Sequence, residues 1–150
     1  MNNLAGLHLD DIAHVIQLAV APVFLLTAIA TLINAMNGRL ARIVDRRRVV
    51  LERARRCEAS DAEREESDWE LEQLALRSRL VYQAIFSAVL SALLVCLVVA
   101  GAFVGAMLST NLGQAVAALF VLAMFAMIGS LGLFLREVYL AVSGGTHFRR

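Results

Sequence analysis

The sequence predicts an all-α membrane protein with three transmembrane helices, the first two extended into a cytoplasmic antiparallel, coiled-coil-like helical hairpin. Three observations carry this prediction. Hydrophobic residues make up 59% of the chain, above the usual share for a soluble protein. Charge is segregated, because residues 37–79 hold eleven of the fourteen arginines and ten of the thirteen acidic residues. From Arg39 to Ala100 there is neither glycine nor proline, which favours long uninterrupted helices.

Three apolar runs supply the predicted spans, over residues about 12–36, 80–108 and 112–135 of one membrane domain. Each run exceeds the roughly 20 residues that an α-helix needs to cross a bilayer. Asp10 or Asp11 is predicted to cap the first helix, and Pro22 to kink it. Residues 141–150 are predicted to form a flexible tail after the third span.

The charged stretch 37–79 is predicted to turn at Ser60 and Glu63, which match the capping-box pattern S-x-x-E. Helix one is then expected to end near Glu58, and helix two to run from about Asp61 to about Leu108. The first arm carries eight arginines and the second eight acids, so the antiparallel arms attract each other. A coiled-coil seam is predicted at Leu40, Val44, Leu51, Ala54, Trp69, Leu76 and Leu80. The alternative is a solvated charged loop.

Arginine placement predicts the orientation of the chain in the membrane. Arginines lie between the first and second spans and after the third, whereas none precedes the first span or joins the second to the third. The positive-inside rule therefore places the N-terminus outside and both the hairpin and the C-terminus in the cytoplasm.

Polar residues on the first helix are candidates to line a water-filled path in an oligomer, with arginines at its inner mouth. Polar side chains inside a bilayer usually face a bundle interior or a cavity. The competing interpretation is hydrogen bonding between helices, worth about 0.6 kcal/mol per pair, or bonding back to the same helix. The candidate pore-lining residues are Gln17, Thr27, Thr31, Asn34, Arg39, Arg42 and Arg46.

Small residues at helical spacing on the second and third spans predict close helix packing. The pattern does not distinguish packing within one chain from packing between copies. Two small-residue faces on the second span favour both, and hence a homo-oligomer. The helix-packing candidates are Ala84, Ala88, Gly101, Gly105, Gly129 and Gly132.

No pattern points to an enzyme, a cofactor or a metal. No two of His8, His14 and His147 are spaced four residues apart on one helix, and no Cys-x-x-Cys occurs. Neither a phosphate-binding loop nor a catalytic triad can be assembled. The net charge is +1 and the arginines are balanced by nearby acids, so nucleic acid is not an expected partner. The expected partners are the lipid bilayer, further copies of the chain and a cytoplasmic protein.

Several segments resemble an uncharacterised bacterial membrane-protein family of the domain-of-unknown-function type (DUF2721). The similar segments are Ala21–Leu26, Gly38–Arg46, Ser91–Cys96 and Leu133–Val138. The resemblance covers roughly Ile12 to Leu140 and implies a protein of the bacterial inner membrane, but no activity. Two functions stay open: a homo-oligomeric ion channel or channel-like transporter with span one along its axis, and a membrane-anchored scaffold or regulatory subunit acting through the hairpin.

Overall fold

Every secondary-structure element among the residues that the structure describes is an α-helix. In the computed structural model, α1 spans Asn3–Arg56, α2 spans Asp61–Leu108 and α3 spans Gly113–Gly144. The backbone is described for residues 3–56, 61–108 and 112–144, and the side chains for 20–54, 65–108 and 112–142. The predicted all-α class is confirmed.

All three helices are long and apolar enough to cross a membrane, over Val20–Ala54, Glu65–Leu108 and Gly113–Val142. The prediction of three membrane-capable helices is confirmed by length and composition. Only 11%, 28% and 11% of the most apolar windows of α1, α2 and α3 are buried. Large apolar side chains such as Phe24, Phe86 and Phe125 are exposed. This surface suits contact with lipid rather than water.

The helix ends match the sequence prediction at α2 and differ from it at the start of α1 and the end of α3. The predicted caps Asp10 and Asp11 lie inside α1, which begins at Asn3, so the capping prediction is wrong. The preceding residues include leucine and alanine, which are good helix formers and allow the helix to begin earlier. Pro22 also lies inside α1. At the other end of the chain, α3 continues to Gly144, so residues 141–144 of the predicted tail are helical.

The chain divides into two compact units, each built from parts of the three helices. One comprises Met1–Leu32 and Ser87–Ile128, and the other comprises Ile33–Phe86 and Gly129–Arg150. In the first unit, α2 and α3 are joined by serine hydroxyls that donate to backbone carbonyls. Ser87 Oγ donates to Ala126 O at 2.7 Å, and Ser91 Oγ donates to Ala123 O at 2.8 Å.

Buried side chains recur every seven residues on each helix. On α1 they are Ile29, Met36, Ile43 and Val50, and on α3 they are Ala123, Ser130 and Glu137. On α2, one row is Leu74, Val81, Ala88 and Val95, and a second is Ala84, Ser91 and Val98. A repeat of seven is the period of helices that pack along their length at a shallow angle.

The predicted hairpin seam agrees only in part with the burial of its side chains. Leu40, Val44 and Leu80 are half-buried, whereas Leu51, Ala54, Trp69 and Leu76 are exposed. Trp69 and Leu76 are 54% and 48% exposed, whereas Ile43, Val50, Leu74 and Val81 are buried. The physical reason is that apolar residues stand next to each other at Ile43-Val44 and Val50-Leu51. Such pairs fit a seam at either member, and only the neighbouring helix decides which member is covered.

Candidate functional site

A buried carboxylate organises the second unit. Glu137 lies on α3, two residues beyond Leu135 and therefore just past the third apolar run, and its side chain is fully buried. It occupies the same seven-residue row as Ser130, whose hydroxyl donates to Ala84 O at 2.8 Å. A buried acid requires charged or hydrogen-bonding partners, because its ionised form is poorly solvated inside a protein.

Arg77 of α2 supplies the first of these partners. Its Nη2 lies 2.9 Å from Glu137 Oε1, and its Nε donates to the same oxygen at 3.3 Å. Arg77 falls seven residues before Ala84, so it extends a buried row of α2 toward the charged part of the chain.

Arg39 of α1 supplies the second partner. Its Nη1 donates to Glu137 Oε2 at 3.1 Å, so the two arginines occupy different oxygens of one carboxylate. The Arg39 guanidinium also lies over the Phe134 ring, with Cζ 5.3 Å from the ring centroid, within the range of a cation–π contact. One glutamate thus connects α3 to both other helices in this unit. No buried side-chain nitrogen or oxygen of the described residues lacks a hydrogen-bond partner.

Two further arginines of α1 lie one and two turns beyond Arg39. Arg46 pairs with Glu70 of α2, with Nη2 2.7 Å from Oε1. Arg42 donates from Nε to the Gly38 carbonyl of its own helix at 3.2 Å, a bond that leaves its two terminal amino groups to other partners.

These arginines line a cleft with a volume of ≈ 290 Å³. Arg39, Arg42, Arg46 and Arg77 contribute to its wall together with Glu137, while Ile43 and Leu74 supply apolar surface. Four guanidinium groups against one carboxylate give the lining a net charge of 4 − 1 = +3. Such a lining is suited chemically to holding an anion. Within the described residues no group of three or more histidine, cysteine, aspartate or glutamate side chains could hold a metal ion.

The predicted pore-lining residues do not all lie in one environment in the structure. Thr27, Thr31 and Asn34 are exposed. The Thr27 and Thr31 hydroxyls donate to carbonyls one turn back in α1, at 3.3 and 2.9 Å, which is the back-bonding alternative for hydroxyls. Arg42 and Arg46 are exposed as well, whereas Arg39 turns toward Glu137. The Gln17 side chain lies outside the described residues.

The predicted packing residues also fall into two groups. Ala84 and Ala88 are fully buried, and a Cβ built on Gly101 would lie 3.2 Å from Val116 Cγ2 of α3. Gly105 is half-buried. In contrast Gly129 and Gly132 are exposed, and a Cβ on Gly132 would meet nothing within 4 Å. For the predicted turn, Ser60 and the Glu63 side chain lie outside the described residues.

Sequence reasoning did not identify Glu137, Arg77 and Phe134 as parts of one site. A signal was nevertheless present, because Ala123, Ser130 and Glu137 recur every seven residues through a helix that is otherwise largely apolar. A small, a hydroxyl and an acidic residue in one row indicate a face covered by protein rather than by lipid.

A family model described as "Protein of unknown function (DUF2721)" matches residues 19–145 of the chain. The matched range contains every residue of the cleft and all three described helices except the first part of α1. No curated protein and no solved structure matches this sequence.

Proposed function

The chain belongs to the DUF2721 family, and on that premise we propose that it forms a homo-oligomeric, channel-like protein of the bacterial inner membrane. In this proposal α1 lies nearest the axis of the oligomer, and its polar face lines the path. No catalytic step is assigned to it. The proposal follows the positive-inside orientation, with the N-terminus outside and the hairpin and C-terminus in the cytoplasm.

The observation that carries the proposal is the exposed polar face of α1. Thr31 is two residues from buried Ile29, and Asn34 is two residues from buried Met36. Two residues turn the side-chain direction by about 200° around an α-helix, so these polar residues point away from the chain's own core. Polar side chains at membrane depth avoid lipid. The Thr31 hydroxyl already donates to Thr27 O within α1, so the Asn34 amide is the group that a second copy of α1 or a water-filled path would satisfy.

Arg42 and Arg46 would then stand at the cytoplasmic mouth of the path. Both are exposed and follow the apolar run by one to two turns. A ring of arginines contributed by several copies favours anions. Arg39 is given a different role from the other two, because its guanidinium is bound to Glu137 within the chain.

The charged parts of α1 and α2 are proposed to form the cytoplasmic antiparallel hairpin. Support comes from the Arg46–Glu70 ion pair and from buried residues that recur every seven positions on both helices. That pattern is typical of a short coiled coil.

Ion flux into liposomes tests conduction directly. We expect flux through the wild-type protein to change when Thr31→Leu and Asn34→Leu are combined, because both remove polar groups from the path. Cys96→Leu is the matched control, since it adds a leucine at another exposed position of a span. An absence of flux over a range of pH, voltage and osmotic conditions would count against a channel. Equal effects of the double variant and the control would remove α1 from the path.

Cross-linking tests the oligomer separately. In a background with Cys57→Ser and Cys96→Ala, Thr31→Cys is expected to form disulfide-linked dimers in the membrane, whereas Leu122→Cys on exposed surface of α3 is not. If Leu122→Cys forms disulfide-linked dimers and Thr31→Cys does not, copies of the chain contact each other through α3 rather than α1. That result would contradict the proposed position of α1 at the axis.

A scaffold or regulatory role is the second candidate, and exposed Trp69 favours it. Trp69 is 54% exposed in the charged part of α2, and exposed tryptophans are enriched where proteins bind partners. Photo-crosslinking from position 69 in intact cells tests this role. Adducts with a different cytoplasmic protein would support a scaffold, while adducts only at multiples of the chain's own mass would assign Trp69 to contacts between copies.

A further inference from the structure

The cleft around Glu137 has unused capacity to bind an anion. Glu137 accepts one hydrogen bond from Arg39 and two from Arg77, whereas each guanidinium carries five N–H donors. Both carboxylate oxygens are already occupied by these arginines. Glu137 therefore positions two guanidinium groups and neutralises only part of their charge.

The remaining wall of the cleft adds more positive charge. Arg42 bonds through Nε to a carbonyl of its own helix, and Arg46 is paired with Glu70. Including Glu70, four arginines face two carboxylates, which leaves a net charge of 4 − 2 = +2. A volume of ≈ 290 Å³ is at the lower end of ligand pockets, which are about 300–1,000 Å³, and suits a small anionic group.

The position of the cleft along the chain points to the nature of this anion. Arg39 is the first charged residue after the first apolar run, and Arg77 and Arg79 directly precede the second. Glu137 and Arg136 directly follow the third run. The cleft thus lies where apolar helix gives way to charged helix, which is the level of lipid headgroups. Basic pockets between membrane helices at this level bind the phosphates of anionic lipids, and the arginine fork matches a phosphate with paired N–H donors.

We propose that this cleft is a phosphate-binding site, filled by the phosphate of an anionic lipid headgroup or of a soluble phosphate compound. Arg39 and Arg77 form its preorganised inner wall, held by Glu137, and Arg42 adds the two terminal amino groups that its Nε bond to Gly38 does not use. This inference goes beyond channel activity and does not depend on it, because a non-conducting protein would retain the cleft.

Full-length protein in nanodiscs tests the site with two probes. In discs of phosphatidylcholine alone, inorganic phosphate is titrated, and binding is followed by calorimetry and by the unfolding midpoint. In a second set, discs contain phosphatidylcholine with a minor fraction of phosphatidylglycerol or cardiolipin, and lipids retained after transfer to detergent are identified by native mass spectrometry. Binding of inorganic phosphate assigns a soluble ligand, and selective retention of the anionic lipid assigns a headgroup.

Arg42→Gln is the diagnostic variant and Arg48→Gln its matched control. Both remove one exposed arginine from α1, but only Arg42 lines the cleft. The ion pairs of Glu137 are with Arg39 and Arg77, so neither variant removes them. We expect Arg42→Gln to weaken binding at least about tenfold, because it removes a charge-assisted contact, and Arg48→Gln to change it by less than about threefold. In the absence of ligand, both variants should have the same unfolding midpoint as the wild-type protein. This control distinguishes a loss of binding from a loss of folding.

Three results would overturn the inference. The first is that neither probe binds. The second is that Arg42→Gln and Arg48→Gln weaken binding equally. The third is that acetate at matched ionic strength binds as well as phosphate. The second result would reduce the effect to overall charge, and the third would remove its preference for phosphate. Because phosphate also stabilises proteins by exclusion from their surfaces, the deciding quantity is the difference between the two variants.

Discussion

Glu137 of α3 and Arg77 of α2 are joined by two hydrogen bonds to one carboxylate oxygen, at 2.9 and 3.3 Å. The carboxylate is fully buried, whereas the Arg77 side chain is 27% exposed and that of Arg39 37% exposed. The acid has no access to water, but both bases do. Glu137 is therefore the member of the cluster that depends most on its partners, and either arginine can supply the neutralising charge.

This difference in exposure predicts how the effects of substituting Arg39 and Arg77 on stability add together. Each change to glutamine leaves the buried carboxylate with one arginine, so Arg39→Gln and Arg77→Gln should each cost less than about 3 kcal/mol of stability. The double variant leaves an unpaired buried carboxylate and should cost more than the sum of the two, by roughly 1 kcal/mol or more. Unfolding of the four proteins in a mild detergent measures the coupling.

Arg79→Gln is the control for that cycle, because it removes an exposed arginine two residues from Arg77. It is expected to change stability by less than about 0.5 kcal/mol. If the stability losses of Arg39→Gln and Arg77→Gln add exactly in the double variant, the two arginines do not share the charge of Glu137.

Ser130 provides a second prediction about the joint between α2 and α3. Its buried hydroxyl donates to Ala84 O, so Ser130→Ala should cost about 0.6 kcal/mol and no more than about 1.7. Ser78→Ala is the matched control, since the Ser78 hydroxyl bonds Ala75 O of its own helix and joins no second helix. A smaller loss from Ser130→Ala than from Ser78→Ala, measured by the same unfolding assay, would contradict the interhelical bond.

The glycines of α2 and α3 are predicted to respond in opposite ways to added bulk. Gly101→Leu should destabilise the chain by about 1–3 kcal/mol, because even a Cβ there lies 3.2 Å from Val116 Cγ2. Gly132→Leu meets open space within the chain and replaces a poor helix former, so it should leave stability unchanged or raise it by up to about 1 kcal/mol.

The same pair tests the homo-oligomer. If Gly132 faces another copy, Gly132→Leu lowers the oligomer population in light scattering while the unfolding of the monomer is preserved. Equal destabilisation of the monomer by both leucine variants would show that Gly132 packs within the chain.

Accessibility to a membrane-impermeant thiol reagent tests the orientation. In a background with Cys57→Ser and Cys96→Ala, Glu66→Cys on the charged part of α2 should react only after the membrane is permeabilised. Gln114→Cys near the start of α3 should react in intact spheroplasts. Both positions are exposed, so burial within the chain does not mask either thiol. Reaction of Glu66→Cys in intact spheroplasts would reverse the proposed topology.

The helical class, the three apolar helices and the bounds of α2 follow from the amino-acid sequence. These properties depend on local features: apolar runs of sufficient length, a long stretch without glycine or proline, and the change of charge at Asp61. Each can be read along a single helix, because backbone hydrogen bonds of a helix are satisfied within it.

Which side chains are buried and which charged groups pair depends instead on how the helices pack against one another. Ile43 rather than Val44 is buried, and Arg39 turns to Glu137, 98 residues away in the sequence, while Arg46 pairs with Glu70. The physical reason is that a helix with apolar residues on several sides has no preferred face until a neighbour excludes solvent from one of them. An arginine followed by many acids likewise has no preferred partner until packing buries one carboxylate.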